Sequence, residues 1–400
     1  MKIAVIFDFD TLGGGFHQSL SSALNLSKLN DSNNEIYFIA SSKRIFEKLK
    51  LENLSVVLFK KIFICRIFFQ LSMSIFFNFL FNFFKIRNPF VKFIQKNNFD
   101  FIIFLGPSWL IKLSDKINFV MSTYDINFKL DNYFPEYLSN RVFKSKDEII
   151  QKSVNQAFKI IVDTERSKKE LISVYNCPES KIAIQSFIPH LITIEKNTDI
   201  KEYSKIIKDL GLDNKKFFFY PAQFLAHKNH RYIIDAVEIL KNEKNINVVF
   251  CGADRGNLQF IKEIIKSKGI DKNFFIYNYL TDLQIIALYK NATALVMPTY
   301  VARSTLPLLE SFFFKIPVFY AKSILDENIE KFVETFDLKN PVDLSHKLLR
   351  YLEGKLSFDE KKELGYQFFI NNCLEKKFIQ NYRGIIDEYK HISSTWKKNF

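Results

Sequence analysis

The stretch from Thr299 to Pro317 reads T-Y-V-A-R-S-T-L-P-L-L-E-S-F-F-F-K-I-P. Pro307 suits the first turn of a helix, where its missing amide would have no partner. Such a turn presents free N–H groups and a positive dipole end, which favour a phosphate. Glu310 follows about one turn later, where a carboxylate can accept hydrogen bonds from two hydroxyls of a ribose. A second cluster runs Tyr220-Pro221-Ala222-Gln223-Phe224-Leu225-Ala226-His227-Lys228-Asn229-His230. Lys228 lies beside an expected helix start, a placement suited to a diphosphate. Asn229 is expected to cap that helix. His227 and His230 are three apart with no third ligand evident, so packing or polar contacts are favoured over a metal. These residue types describe a nucleotide-sugar pocket.

Two further motifs follow the first strand. Gly13-Gly14-Gly15 precedes a helix carrying Leu20, Leu24 and Leu26. Glycines there let the backbone approach a ligand, but the spacing is not G-x-G-x-x-G, so the dinucleotide reading is weak and a flexible turn is the alternative. Asp8-Phe9-Asp10-Thr11-Leu12 resembles the D-F-D-G-T-L motif of haloacid-dehalogenase-type phosphatases without its glycine. That chemistry uses the first Asp as nucleophile and the second as acid. It also needs a downstream acidic pair for magnesium, of which Cys251-Gly252-Ala253-Asp254 is only a partial echo. Surface or turn acids are the favoured reading.

The elements that must position these residues alternate regularly. Strands are expected over 2–7, 36–40, 55–59, 101–105, 119–122, 160–163 and 182–185. A lull with a charged segment follows, and then strands over 217–220, 247–251, 274–277, 294–297 and 318–320. Helices are expected over 229–241, 257–268, 282–290 and 306–314. Strands alternating with helices of this length mean parallel sheets covered on both faces. The boundaries read as a first domain over 1–190, a linker over 191–215, a second domain over 216–372 and a C-terminal helix over 373–400 that packs back on the first domain. Ligands in such folds bind beyond the carboxyl ends of the strands.

Four hundred residues suit two domains, and 48% hydrophobic with 25% charged residues is a globular composition. The net charge of +14 points to an acidic partner: nucleic acid, an anionic lipid surface or phosphorylated ligands. Phe reaches 45 residues, partly a codon effect, so no single Phe is over-read. Cys65, Cys177, Cys251 and Cys373 form no paired motif, which fits a reducing cytoplasm without a zinc or disulfide framework. No signal-peptide pattern precedes the first strand. Residues 62–84 are long and apolar enough to cross a bilayer. Arg66, Gln70, Asn78 and Asn82 recur at spacings of four and share one helical face. An amphipathic helix half buried in its own domain is the first reading. A membrane-surface helix flanked by Lys60, Lys61, Lys85 and Arg87 is the second.

The ordered set resembles the family 4 glycosyltransferases. It comprises the Tyr220–His230 cluster, Phe250-Cys251-Gly252, Leu288-Tyr289 with Ala292, Met297-Pro298-Thr299 and Leu306-Pro307-Leu308-Leu309-Glu310. The first half agrees through Tyr124-Asp125, Phe134-Pro135-Glu136, Arg141 and Val162-Asp163-Thr164-Glu165-Arg166-Ser167. The resemblance implies an α/β fold of the GT-B type: two Rossmann-like, doubly wound parallel-sheet domains facing across a cleft. It implies a donor site in the second domain and an acceptor site in the first. Lys228 would contact the diphosphate, Glu310 the ribose, and Gln223, Gly252, Arg303, Ser304, Thr305 and Leu306 would line the nucleotide. Gly14 and Gly15 would close over the donor, Asp125 would act near the sugar, and Tyr124 would stand on the acceptor side. Family members often carry Arg at position 223, Glu at 302 and His at 124, where this chain has Gln223, Ala302 and Tyr124. Arg303, or a protonated His227, is expected to supply the missing cation.

The reaction so implied is transfer from a nucleotide sugar with retention of configuration, with no cofactor and no metal. The acceptor is expected to be a saccharide or lipid-linked saccharide of bacterial surface polysaccharide assembly. Peripheral contact with an anionic membrane at the inner face of the cytoplasmic membrane is expected, with no nucleic acid. The readings from other classes are a catalytically silent GT-B binding subunit and, through Asp8, a phosphatase.

Overall fold

The structure is a computed structural model that describes residues 1–8, 14–84, 86–195, 200–301, 306–326 and 329–396. The chain divides into two units. The first holds Met1–Lys129, Asn140–Ile188 and Glu375–Phe400, and the second holds Leu130–Ser139 and Pro189–Leu374.

The first unit is built on β1 (Lys2–Phe7), β2 (Glu35–Ala40), β3 (Val56–Leu58), β4 (Phe101–Phe104), β5 (Phe119–Ser122), β6 (Lys159–Val162) and β7 (Ile182–Ile184). They form one parallel sheet in the order β3-β2-β1-β4-β5-β6-β7. The central strands are unbroken apolar runs, F-I-I-F in β4 for example, and are buried along their length. Such runs need helices on both faces. The second unit holds β8 (Phe217–Pro221), β9 (Asn247–Cys251), β10 (Phe274–Tyr277), β11 (Ala294–Met297), β12 (Val318–Ala321) and β13 (Glu334–Phe336), parallel in the order β10-β9-β8-β11-β12-β13. Both units are therefore doubly wound α/β folds. The sequence reading lacks β13, whose three residues E-T-F include only one fully buried side chain.

Strand order reverses between β1 and β4 in one sheet and between β8 and β11 in the other. At each reversal the loops leaving neighbouring strands turn to opposite faces and open a crevice. Asp8 and residues 105–108 leave the first reversal; residues 222–229 and 298–301 leave the second.

Two boundaries differ from the sequence reading. The expected linker, 191–215, carries helices Leu191–Glu195 and Ile200–Asp209. Their Leu191, Ile192, Tyr203 and Ile207 enter the core of the second unit. The charges that suggested a linker occupy the outer face of an amphipathic helix. Residues 130–139 interrupt the first unit in sequence and pack within the second. The last helix, Glu375–Ser393, places Phe378, Tyr382, Ile386 and Tyr389 in the core of the first unit.

Residues 62–84 are not one half-buried helix. They break at Met73-Ser74 into helices Ile62–Ser72 and Ile75–Phe83. The two axes are bent by 107°. Ser72 turns its hydroxyl onto the Phe69 carbonyl at 2.8 Å, a local bond that competes with helix continuation. Among the described residues no single helix is long and apolar enough to cross a membrane. Far from being half buried, this segment exposes Phe63, Ile64, Ile75, Phe76, Phe79 and Phe83.

Tyr389 tests the last helix as part of the first unit. Its ring stacks on Phe101 at 4.1 Å, and its hydroxyl donates to the Asp100 carbonyl at 3.2 Å. Tyr389→Ala should cost about 3–5 kcal/mol and lower the melting temperature by roughly 10 °C. A change below about 2 °C would mean that the helix is dispensable.

Candidate active site

The site is assembled from the two loops that leave β8 and β11. After β8 the chain makes a tight turn, Ala226–Lys228, and enters helix His230–Ile239. The turn is bonded to the neighbouring loop through the main chain. Tyr300 N–H and Thr299 Oγ1 both donate to the His227 carbonyl, at 2.9 and 3.1 Å. Tyr220, buried in β8, donates its hydroxyl to the Lys228 carbonyl at 2.8 Å. Lys228 is thereby held, half buried, at the carboxyl end of the central strand. Asn229 does not cap the helix with its side chain. It adopts a left-handed conformation, φ 54°, and its Nδ2 donates to the Pro298 carbonyl at 3.1 Å. The residue ties the two loops together instead.

Gln223 and Gly252 lie beside this turn. A Cβ on Gly252 would stand 2.2 Å from the Ala222 carbonyl oxygen and 2.7 Å from the Gln223 amide. Only glycine lets the β9 loop approach the β8 loop so closely. Gly252 therefore shapes the path of residues 222–223, on top of the nucleotide contact expected of it. Phe224 N–H donates to Ala253 O at 3.0 Å and fixes the same approach.

His227 is held from the other side by the 130–139 segment. Its main-chain N–H donates to Glu136 Oε1 at 3.1 Å, and its ring Nδ1 pairs with the same oxygen. Tyr137 stacks on the ring at 5.7 Å. Burial pushes the Glu136 carboxyl up, but hydrogen bonds from its own amide and from His227 outweigh it and hold it below the ordinary range. A charge on the His227 ring would thus be met by Glu136, which removes His227 as the expected extra cation for a diphosphate. His230 is fully buried among Phe224, Tyr220 and Phe250, and burial pushes its pKa down to about 3. It is a neutral packing residue, as read from the sequence.

After β11, helix Leu306–Phe313 carries Glu310. Leu306 opens the helix, half buried. Glu310 is 8% exposed, and its Oε2 accepts from the Tyr289 hydroxyl at 2.6 Å. Burial drives the Glu310 pKa up to about 7, against the Tyr289 bond, which lowers it. Burial and the Glu310 charge in turn hold the Tyr289 phenol well above its ordinary value. Tyr289 belongs to helix Asp282–Asn291 and was visible in the sequence only as part of a family motif. Its partnership with a carboxylate 21 residues on is a tertiary fact. Arg303, Ser304 and Thr305, with Ala302, lie outside the described residues.

In the first unit, Gly14 and Gly15 open helix Gly14–Ser27 after β1. Asp125 follows β5, half buried, and its Oδ1 accepts from Asn127 N–H at 3.0 Å. Tyr124 donates its hydroxyl to the Leu105 carbonyl at 2.6 Å and meets Ser19 Oγ at 2.8 Å. The phenol expected to face an acceptor is thus engaged inside the unit, where burial raises its pKa. Asp163 is buried, its pKa pushed up to about 8 against a hydrogen bond from Ser167 at 2.8 Å. The phosphatase reading loses its support: Asp8 accepts from Ser108 at 2.7 Å, and Asp254 accepts the amides of Gly256 and Leu258 as a turn former. Phe9 and Asp10 lie outside the described residues.

Residues 202–367 match the family model described as glycosyl transferases group 1. The match spans both loops of the site, and by this domain the chain is a glycosyltransferase. No curated protein matches the sequence. Solved structures share the fold at low identity. A glycosyltransferase from Rickettsia africae ESF-5 aligns with TM-score 0.69 at 16% identity, over 100% of this chain and 99% of that one. Anabaena Alr3699/HepE, solved with UDP and glucose, aligns with TM-score 0.73 at 13% identity, over 97% and 100%. The lipopolysaccharide outer core galactosyltransferase WaaB, in its apo form, aligns with TM-score 0.62 at 16% identity, over 97% and 100%. These likenesses establish the GT-B architecture of glycosyltransferases for this chain.

The raised pKa of Glu310 gives a stability test. In the unfolded chain the carboxyl ionises near its ordinary value of 4.5; in the folded chain it keeps its proton to about 7. Folding stability is therefore lost as pH rises through this window, by about 3 kcal/mol. Glu310→Gln removes the titration and keeps an acceptor for Tyr289. Its melting temperature should exceed that of the parent by several degrees at pH 8, and the gap should nearly close at pH 5. Equal melting temperatures at pH 8 would show that burial does not penalise the carboxylate.

Proposed function

We propose that this glycosyltransferase takes its sugar from a nucleotide-sugar donor, with retention of configuration, and passes it to a saccharide or lipid-linked saccharide. One observation carries the proposal: Lys228 and Glu310 leave neighbouring strands β8 and β11 at the reversal of strand order, inside the group 1 domain. That crevice is where doubly wound sheets take nucleotides. In this reading Lys228 faces the diphosphate, the amino end of helix Leu306–Phe313 faces its oxygens, and Glu310 takes the ribose hydroxyls. Negative charge grows on the diphosphate as the glycosidic bond breaks. A preorganised ammonium and helix end, already in place, stabilise it without reorganisation. The departing phosphate oxygen takes the acceptor proton, so neither a carboxylate base nor a metal is called for. In the same reading Gly14 and Gly15 contact the donor and Asp125 serves the transferred sugar or the acceptor.

The acceptor reading rests on charge. A net charge of +14 suits an acceptor carrying phosphate or presented at an anionic surface. The likeness in fold to a lipopolysaccharide outer core galactosyltransferase supports a place in bacterial surface polysaccharide assembly, and the basic charge suits the inner face of the cytoplasmic membrane. The engaged Tyr124 hydroxyl favours a second reading, a binding subunit that holds the donor without turning it over.

A thermal-shift screen against UDP-, GDP-, ADP- and dTDP-sugars tests the donor site, because a ligand selective for the folded state raises its stability. One nucleotide class should raise the melting temperature. Lys228→Ala should then lower transfer by about 10²–10³-fold while leaving the unliganded melting temperature within a few degrees. A shift accompanied by neither transfer nor donor hydrolysis supports the binding subunit. The absence of any shift across all four classes, with no transfer, rules out the donor site.

A further inference from the structure

We infer that helices Ile62–Ser72 and Ile75–Phe83 form a wedge that enters one leaflet of an anionic bilayer, and that the cavity at the base of the wedge takes a lipid phosphate. This goes beyond the membrane contact proposed above, because it names the element that enters and the ligand it reads. It rests on that reading only in supposing that a membrane is met.

The wedge is built the wrong way round for water. Almost half of the exposed large apolar side chains among the described residues lie between Phe63 and Ile86. Ile75 is 91% exposed, Met73 71% and Phe76 64%. Such a concentration marks an interaction surface. The helices are nonetheless a docked body. Cys65 is buried against the first unit, Phe68 stacks on Phe81 at 4.7 Å, and Phe69 meets Trp109 at 5.5 Å. Cys65 and Phe69 fasten the wedge, Phe68 and Phe81 join its two arms, and a further set of rings faces outward. The bend of 107° leaves each arm too short to span the hydrocarbon, so the pair suits shallow insertion.

Charge identifies the occupant. Between Glu52 and Asp100 the sequence carries seven Lys and Arg residues and no carboxylate. Lys60, Lys61, Arg87 and Lys92 are exposed around the wedge. Apolar side chains ringed by cations match the acyl region and headgroups of an anionic leaflet. At the base lies a cavity of about 490 Å³, lined by Phe68, Phe81 and Ile86 and by Arg87, Lys112, Asp115 and Lys116; the Asp115 carboxylate is paired with Lys152 at 2.6 Å. Lys112 is paired with Glu148 at 2.6 Å. Arg87 bonds a neutral acceptor, Gln95 Oε1, at 2.8 Å, and Lys116 is exposed. Arg87 and Lys116 are therefore the groups that would take the phosphate, with the aromatic wall beside the first carbons of the chain.

Vesicle flotation of the full chain tests this, using phosphatidylcholine alone and phosphatidylcholine with phosphatidylglycerol. The parent protein should bind the phosphatidylglycerol vesicles about tenfold more tightly or better. Phe76→Asp with Phe79→Asp, both at exposed positions, should lose at least about tenfold on both vesicles. Arg87→Gln with Lys116→Gln should lose the preference for phosphatidylglycerol and keep the weaker binding. The inference is overturned if the aspartate variant floats like the parent, or if the glutamine variant keeps the preference. It is also overturned if the wedge proves to join two copies in sedimentation while no vesicle binds. Donor-induced thermal shifts should be unchanged in both variants, so failure here is separate from failure of the donor site.

Discussion

A carboxylate kept almost free of water is the constraint around which the second unit's site is arranged. Glu310 is buried in a helix that follows β11, and one of its oxygens is bonded by Tyr289. Burying a charge is costly unless hydrogen bonds replace the lost water. The Tyr289 bond replaces part of it, and the raised pKa shows that it does not replace all. A ligand that brings two hydroxyl donors would supply the remainder. The same burial that weakens the protein as pH rises from 4.5 to about 7 would then sharpen recognition of a ribose, because a site built around a buried acceptor rejects ligands that leave it unpaired.

The sheets determine where that acceptor can act. In a parallel sheet all strands end on one edge, and only at a reversal of order do neighbouring loops diverge. In the second unit this places the Lys228 turn and the Glu310 helix on adjacent strands. Hydrogen bonds from the Thr299 hydroxyl and the Tyr300 amide to the His227 carbonyl, and from the Asn229 side chain to the Pro298 carbonyl, keep the two loops in register. Gly252 admits the third loop, and Glu136 braces the turn through His227. Lys228 is therefore located by neighbours on several sides.

The alternation of apolar runs and helical patterns was enough to read both sheets, and the positions of Lys228 and Glu310 relative to their strands were legible for the same reason. What escaped depended on contacts distant in sequence or on local competition. Tyr289 cannot be paired with Glu310 without knowing how two helices face each other. Asn229 looked like a cap, but the turn before it requires a left-handed residue, which asparagine tolerates. The 191–215 segment looked like a linker because its lysines and glutamates hide the few side chains that reach the core. Residues 62–84 keep a helical period throughout, so the break at Met73-Ser74 and the outward Phe side chains follow from docking of the inner set.

The most direct test of the buried carboxylate as ribose acceptor is the pH dependence of nucleotide-sugar affinity, measured by calorimetry in buffers of different ionisation enthalpy. A nucleotide sugar carries no phosphate that titrates near neutrality, so a proton linked to binding reports on the protein. Hydroxyl donors favour the ionised form of Glu310. Binding at pH 7 should therefore release about half a proton, affinity should rise between pH 6 and 8, and both effects should vanish in Glu310→Gln. Affinity that is flat across this range, or proton release that survives in Glu310→Gln, would contradict the account.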